Sequence, residues 1–288
     1  MVCRNRLTRK RNNKCSTTKN LISQMKTFKF LAIALIASTL FWSCNKEEEI
    51  GPNDKNALTV EFDNYVGNEK LVLETKSYKN AANEDFTITT LNYFVSNIAL
   101  KKADGTEVKF PDKYFLIRQA DTKTLTISLP DIPAGDYTSM SYMIGVDSLK
   151  SISDVAQRTG VLDPASYGTD NMYWSWNAGY IFFKLEGNSS AATTPTKKFQ
   201  FHIGGFGGKT AVTANNLRTV TASFGTTAAQ VRKDIAPTVH VITDVLQTFS
   251  QGVSIAKTSV VMNPAASKPI ADGYAKMFKV EHVHNDKM

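Results

Sequence analysis

Cysteine is scarce in this chain. Three occur in 288 residues, Cys3, Cys15 and Cys44, so everything beyond residue 44 is cysteine-free. That excludes an intramolecular disulfide, a CxxC metal site and a catalytic thiol from the body of the protein. Stability must come from an apolar core, and the roughly 230 residues of the body are ample for one large domain. Enzyme signatures are missing as well: no G-x-S-x-G elbow, P-loop, G-x-G-x-x-G after a strand, or H-E-x-x-H occurs. Gly204-Gly205-Phe206-Gly207-Gly208 follows a strand-like segment with no helix start behind it. It reads as a tight turn, or as close backbone approach to an aromatic neighbour, not as a phosphate cradle. With no convergent nucleophile and base to name, the chain reads as a binding protein and not as an enzyme.

A bilayer-spanning run is also missing. The apolar stretch Phe30–Leu40 falls short of the ~20 residues a spanning helix needs. It is preceded by Met25, Lys26 and Lys29 and followed by Phe41-Trp42-Ser43-Cys44. Basic n-region, short h-region and a small residue before a cysteine make a signal peptide of the lipoprotein type, with Cys44 the lipidated residue. Residues 1–24 are basic and lack any acidic residue, as an upstream extension or a long n-region would be. Removing residues 1–43 takes nine of the 34 basic residues and none of the 26 acidic ones, leaving 25 against 26. The formal +8 therefore belongs to the leader, and nucleic-acid binding has no support. Asn45-Lys46-Glu47-Glu48-Glu49 is either a solvated tether or an export signal to the cell surface. Outer membrane, facing the periplasm or the exterior, is the expected address. The expected organisation is 1–43 extension and signal peptide, 44–57 acidic tether, and 58–288 a single domain.

From Leu58 on, the chain alternates short apolar/polar runs with turn signals such as Gly67-Asn68, Asn83-Glu84 and Asp104-Gly105. Strands are expected at 58–62, 70–74, 86–90, 94–101, 114–118, 124–129, 137–146, 180–186, 198–203, 217–224, 238–243, 253–261 and 277–284. Short helices or turns are expected at 228–233 and 244–249, and a long irregular loop at 147–179. No helices alternate with the strands, so the fold class is all-β, an antiparallel β-sandwich, with a closed barrel as the alternative.

Four histidines remain to carry chemistry. His282 and His284 form His-x-His, and residues i and i+2 of a strand share a face, so both rings can reach one metal ion. Neutral imidazole suits copper, zinc and nickel. The apolar residues Met277, Phe278, Val280 and Val283 predict that this segment is a docked final strand. His202, at a strand end, and His240, mid-strand, are further candidate ligands, with a hydrogen-bonded structural role as the ordinary alternative for each. Met172 or Met277 would add a soft thioether. Trp174 and Trp176 lie two residues apart in Met172-Tyr173-Trp174-Ser175-Trp176-Asn177. They are either a buried aromatic cluster or a stacking platform for a sugar or another ring.

Several segments together resemble the copper-binding MbnP-like family, named for a partner of the copper chelator methanobactin. They are Tyr93–Leu100, Pro133–Tyr137, Gly145-Val146-Asp147-Ser148, Gly160–Pro164, Met172–Gly187 and Phe201–Gly208. The resemblance spans about Leu58 to Asn285, and its tryptophan segment is the most specific part. It implies a β-sandwich that binds copper in the periplasm or at the surface. It also implies a tryptophan oxidised to kynurenine by a dihaem peroxidase-like partner, here Trp174 or Trp176, and His202 as the histidine of the matched motif. Near the first strand, where the family can place a histidine, this chain has Asp63-Asn64. The leading expectation is a cell-envelope metal-binding lipoprotein, copper favoured, for capture of the metal or handover to an outer-membrane importer. His202 and the His282/His284 pair are its leading ligands. The alternative is a surface lipoprotein that binds a glycan or assists an outer-membrane transporter without metal.

Overall fold

The computed structural model describes residues 50–176 and 179–287. The expected signal peptide, Cys44 and the acidic run that follows it lie outside the described residues. Gly51 to Asp54 form a turn, closed by the Asp54 carboxylate accepting from the Gly51 N–H at 2.8 Å. The first strand begins three residues earlier than its alternation predicts, at Lys55.

Two sheets make up the domain. In the first, β1 (Lys55–Val66) pairs with β2 (Glu69–Lys70), β6 (Thr126–Pro133) and β12 (Thr238–Asp244), and β14 (Phe278–His284) adds to the far side of β12. The second follows the order β10 (Arg218–Ser223), β7 (Gly135–Ile144), β4 (Asp85–Lys102), β8 (Ile181–Asn188), β9 (Lys198–Gly204), β13 (Val260–Val261). There β3 (Ser77–Lys79) and β5 (Glu107–Arg118) also pair with β4, and β11 (Ala229–Val231) with β7. The all-β, sandwich-like class is as expected, although the sheets are mixed. β1 and β12 run parallel, as do β9 and β13. These partners come from distant parts of the chain, so no hairpin dictates their direction.

Alternation along the strands builds the core. In β1 the side chains of Leu58, Val60 and Phe62 are buried while their neighbours are not. Phe62 meets Tyr93, Tyr142 and Phe278 edge to face, with centroids 6.0–6.3 Å apart, the arrangement favoured by aromatic quadrupoles. Two expected strands, 86–90 and 94–101, are one strand of 18 residues, because Thr90-Leu91-Asn92-Tyr93 has no Gly or Pro and its lone Asn92 is buried within the strand. A register shift with Asn97 at φ 49° bends it instead.

Some local expectations fail. Residues 229–231 are strand where a helix or turn was expected, because they pair with β7. Of the segments 70–74 and 253–261, only Lys70 and Val260–Val261 are strand. The missing part of the second is held by Glu84, whose carboxylate accepts from Ser254 Oγ at 2.6 Å and from the N–H groups of Ile255 and Ala256. A helix, α2 (Lys268–Tyr274), has Pro269 in its first turn, a legible start signal that the sequence reading missed.

The excursion between β7 and β8 is more ordered than its irregular sequence suggests. It holds α1 (Ser148–Ile152) and 3-10 turns at Val155–Gln157, Gly160–Leu162 and Pro164–Asp170. Asp147, Asp154 and Asp163 cap three of these by accepting from Lys150, Ala156 and Ala165 N–H groups. The excursion covers a second apolar cluster that includes Phe94, Leu162, Tyr167, Met172, Tyr180 and Phe182. Arg158, only 4% exposed, pins it. Its guanidinium lies 5.1 and 5.4 Å from the Tyr173 and Tyr180 rings and donates to the carbonyls of Ser151 and Ser153.

Candidate metal centre

Three of the four histidines meet on the outer face of the first sheet. In β12, Val239 and Val241 point into the core, so His240 between them points outward. His240 stands opposite His282 of β14. Simple period-2 counting from Phe278 and Val280 would send His282 and His284 inward as well. The register prevents this: Val241 pairs with Val280 and His240 with His282, which leaves Glu281 as the extra residue of a bulge. Past the bulge Val283 turns inward, and both histidines turn out.

The result is compact. The His240 and His282 rings stack at 4.5 Å with 16° between planes. His284 stands edge-on to both, with centroids 5.1 and 4.6 Å away. Nε2 of His282 and Nε2 of His284 are 3.0 Å apart. One ring nitrogen from each histidine lies within 4.8 Å of the others. Two Zn–N bonds of about 2.0–2.1 Å at a tetrahedral angle would put their nitrogens about 3.4 Å apart, near the 3.0 Å between His282 and His284, and a wider pair would have to close in on the ion. The donor set therefore fits a borderline transition metal held by imidazole.

Carboxylates stand behind the rings. Glu61 is opposite His240 in the parallel pair, and its Oε2 is 3.5 Å from His240 Nδ1. Asp63 Oδ2 is 3.9 Å from the same nitrogen and is itself paired with Lys70 at 3.1 Å. Glu281 Oε2 is 3.3 Å from His282 Nδ1. Sequence reading passed over Glu61 and Glu281. Strand parity puts Glu61 and Asp63 on one face, yet nothing local says that His240 lies beside them.

His202 does not join this cluster. It stands on β9, in the other sheet, with Nε2 2.5 Å from Glu186 Oε1. That hydrogen bond, assisted by the Lys184 ammonium 3.7 Å away, holds the Glu186 carboxyl down at about 2 against the opposing cost of burial. Met172 and Met277 are both buried in apolar clusters, and the sulfur of Met277 accepts from Thr248, so neither thioether is offered to the exposed imidazoles. Asp63 reaches the cluster, whereas Asn64 points into the core, where it is 2% exposed and bonded to Gln119 and Tyr93.

The tryptophans form a separate feature. Trp174 and Trp176 stack at 4.8 Å with 26° between planes, Trp174 half-buried and Trp176 46% exposed. A Cβ at Gly204 would come 2.8 Å from the Trp174 ring, so this glycine is the close backbone approach read from the sequence. Gly205, at φ 103°, supplies the turn that follows.

Comparison with known proteins agrees with this architecture. Residues 55–263 match the MbnP family. Among solved structures, MbnP from Methylosinus trichosporium is similar in fold, with a TM-score of 0.50 and 16% identity over 73% of this chain and 82% of that one. No curated protein matches the chain.

Proposed function

The chain belongs to the MbnP family, and from that premise we propose that it is a metal-binding lipoprotein of the cell envelope, with copper the favoured metal. The observation that carries the reading is the convergence of His240, His282 and His284, whose ring nitrogens lie within 4.8 Å of one another. With two of the three rings exposed, an ion held there keeps a side open to solvent, which suits capture and handover better than permanent storage. Copper is favoured by the family resemblance and by the affinity order of divalent metals at nitrogen sites. The envelope address rests on the leader and Cys44, and an outer-membrane importer is the partner to which the metal would pass.

Titration of the purified protein with copper tests this. His240→Ala, His282→Ala and His284→Ala should each weaken binding, and His202→Ala should not. Binding indifferent to all three substitutions would refute the site. Cys44→Ala should release the protein from membranes of its host into the soluble fraction.

The stacked tryptophans favour a second reading, a platform for a sugar ring. Trp176 is exposed on such a stack, and it is also the ring more open to oxidation by a dihaem peroxidase-like partner.

A further inference from the structure

We propose that the three-histidine site takes its metal as a divalent ion, and that Glu61 and Glu281 are the positioning residues that make it so. This rests on the metal-binding reading above and specifies which oxidation state the site prefers. In both His240 and His282 a carboxylate oxygen lies near Nδ1, 3.5 Å away from Glu61 and 3.3 Å away from Glu281, within a small side-chain rotation of a hydrogen bond. For His282 the other nitrogen, Nε2, is the one aimed at His284. With a metal on the ring's other nitrogen, a carboxylate that closes onto Nδ1 would hold the proton there, fix the tautomer and ring angle, and raise the basicity of the ligating nitrogen.

Charge and softness point the same way. Glu61, Asp63 and Glu281 bring three negative charges to imidazoles, which bind metal as neutral ligands, and Lys70 on Asp63 offsets one. A divalent cation balances the remaining two, whereas a monovalent one leaves a surplus. Cu(I) is selected by thiolate and thioether. The chain has no cysteine beyond Cys44, and Met172 and Met277 are buried in apolar clusters. An all-nitrogen face backed by carboxylates therefore favours Cu(II) or Zn(II) over Cu(I).

The test compares wild type, the Glu61→Gln/Glu281→Gln double variant and His284→Ala. Zn(II) affinity is measured by competition, and the reduction potential of bound copper by voltammetry. The double variant should bind Zn(II) about 10–100-fold more weakly, the usual cost of losing carboxylates behind metal-bound histidines. Its bound copper should also have a higher reduction potential, because Cu(II) loses more than Cu(I). A double variant with wild-type Zn(II) affinity, or with an unchanged or lowered potential, overturns the proposal. Failure of the metal-binding reading looks different: His284→Ala would then bind every ion as wild type does.

Discussion

Nε2 of His282 lies 3.0 Å from Nε2 of His284, and a β-bulge puts both rings on the solvent side. Residue 281 has no partner on β12, while its neighbours on either side do. Deleting Glu281 should therefore give an unbulged strand with the same pairs and the same outward histidines. The deletion variant is expected to fold with wild-type circular dichroism and to keep histidine-dependent metal binding, weakened because the Glu281 carboxylate is gone. Collapse of the fold on deletion would show that the register is held in some other way.

Acid should destabilise the domain through two carboxylates in particular. Glu186 is held at about 2 by the His202 hydrogen bond, helped by Lys184. Burial pushes Glu84 up, but donors from Asn80, Ser254, Ala256 and Ile255 outweigh it and bring it to about 2 as well. Both folded values lie below the unfolded value of about 4.3. Their stabilisation is complete above that value and is lost as pH falls from about 4.3 toward 2. Melting temperature should drop steeply across that window, and Glu84→Gln/Glu186→Gln should start lower and fall less. Parallel curves for the two proteins would contradict the assignment.

Arg158 is a structural pin whose loss should be costly. Arg158→Ala removes a buried cation from two tyrosine rings and strands the carbonyls of Ser151 and Ser153. A loss of about 2–3 kcal/mol in denaturant unfolding is expected. Arg158→Lys should recover only part of it, because an ammonium lacks the planar face that stacks on the rings.

Exposure separates the two tryptophans. Iodide should quench Trp176 more strongly than Trp174, so Trp176→Phe should leave emission that is harder to quench in protein lacking residues 1–43, which removes Trp42. If the family resemblance extends to oxidation, protein from its native host should carry a gain of ~4 Da on the peptide containing these residues, one carbon lost and one oxygen gained. Equal quenching of both rings would count against the described exposure.

Much of the fold was legible in the sequence, since alternation and turn chemistry are local. They placed β1, β6, β9, β12 and β14 close to where they lie. Errors fell where tertiary pairing overrode local pattern, as at residues 229–231 and in the segment held by Glu84. The aspartate caps at Asp147, Asp154 and Asp163 were there to be read, but an irregular apolar pattern around them hid the short turns.

The candidate site divides along the same line. Sequence alone determined that no thiol is available beyond Cys44, and that His282 and His284 share a face, because strand parity is a property of the backbone. It could not say which histidine would be third. His202 and His240 each sit in a strand, and only the pairing of β12 with β14 selects His240. The parallel pairing of β1 then brings Glu61 beside it. Those contacts join residues about 40 and 180 positions apart, and packing of the whole sandwich sets such registers, because only one register buries every inward side chain at once.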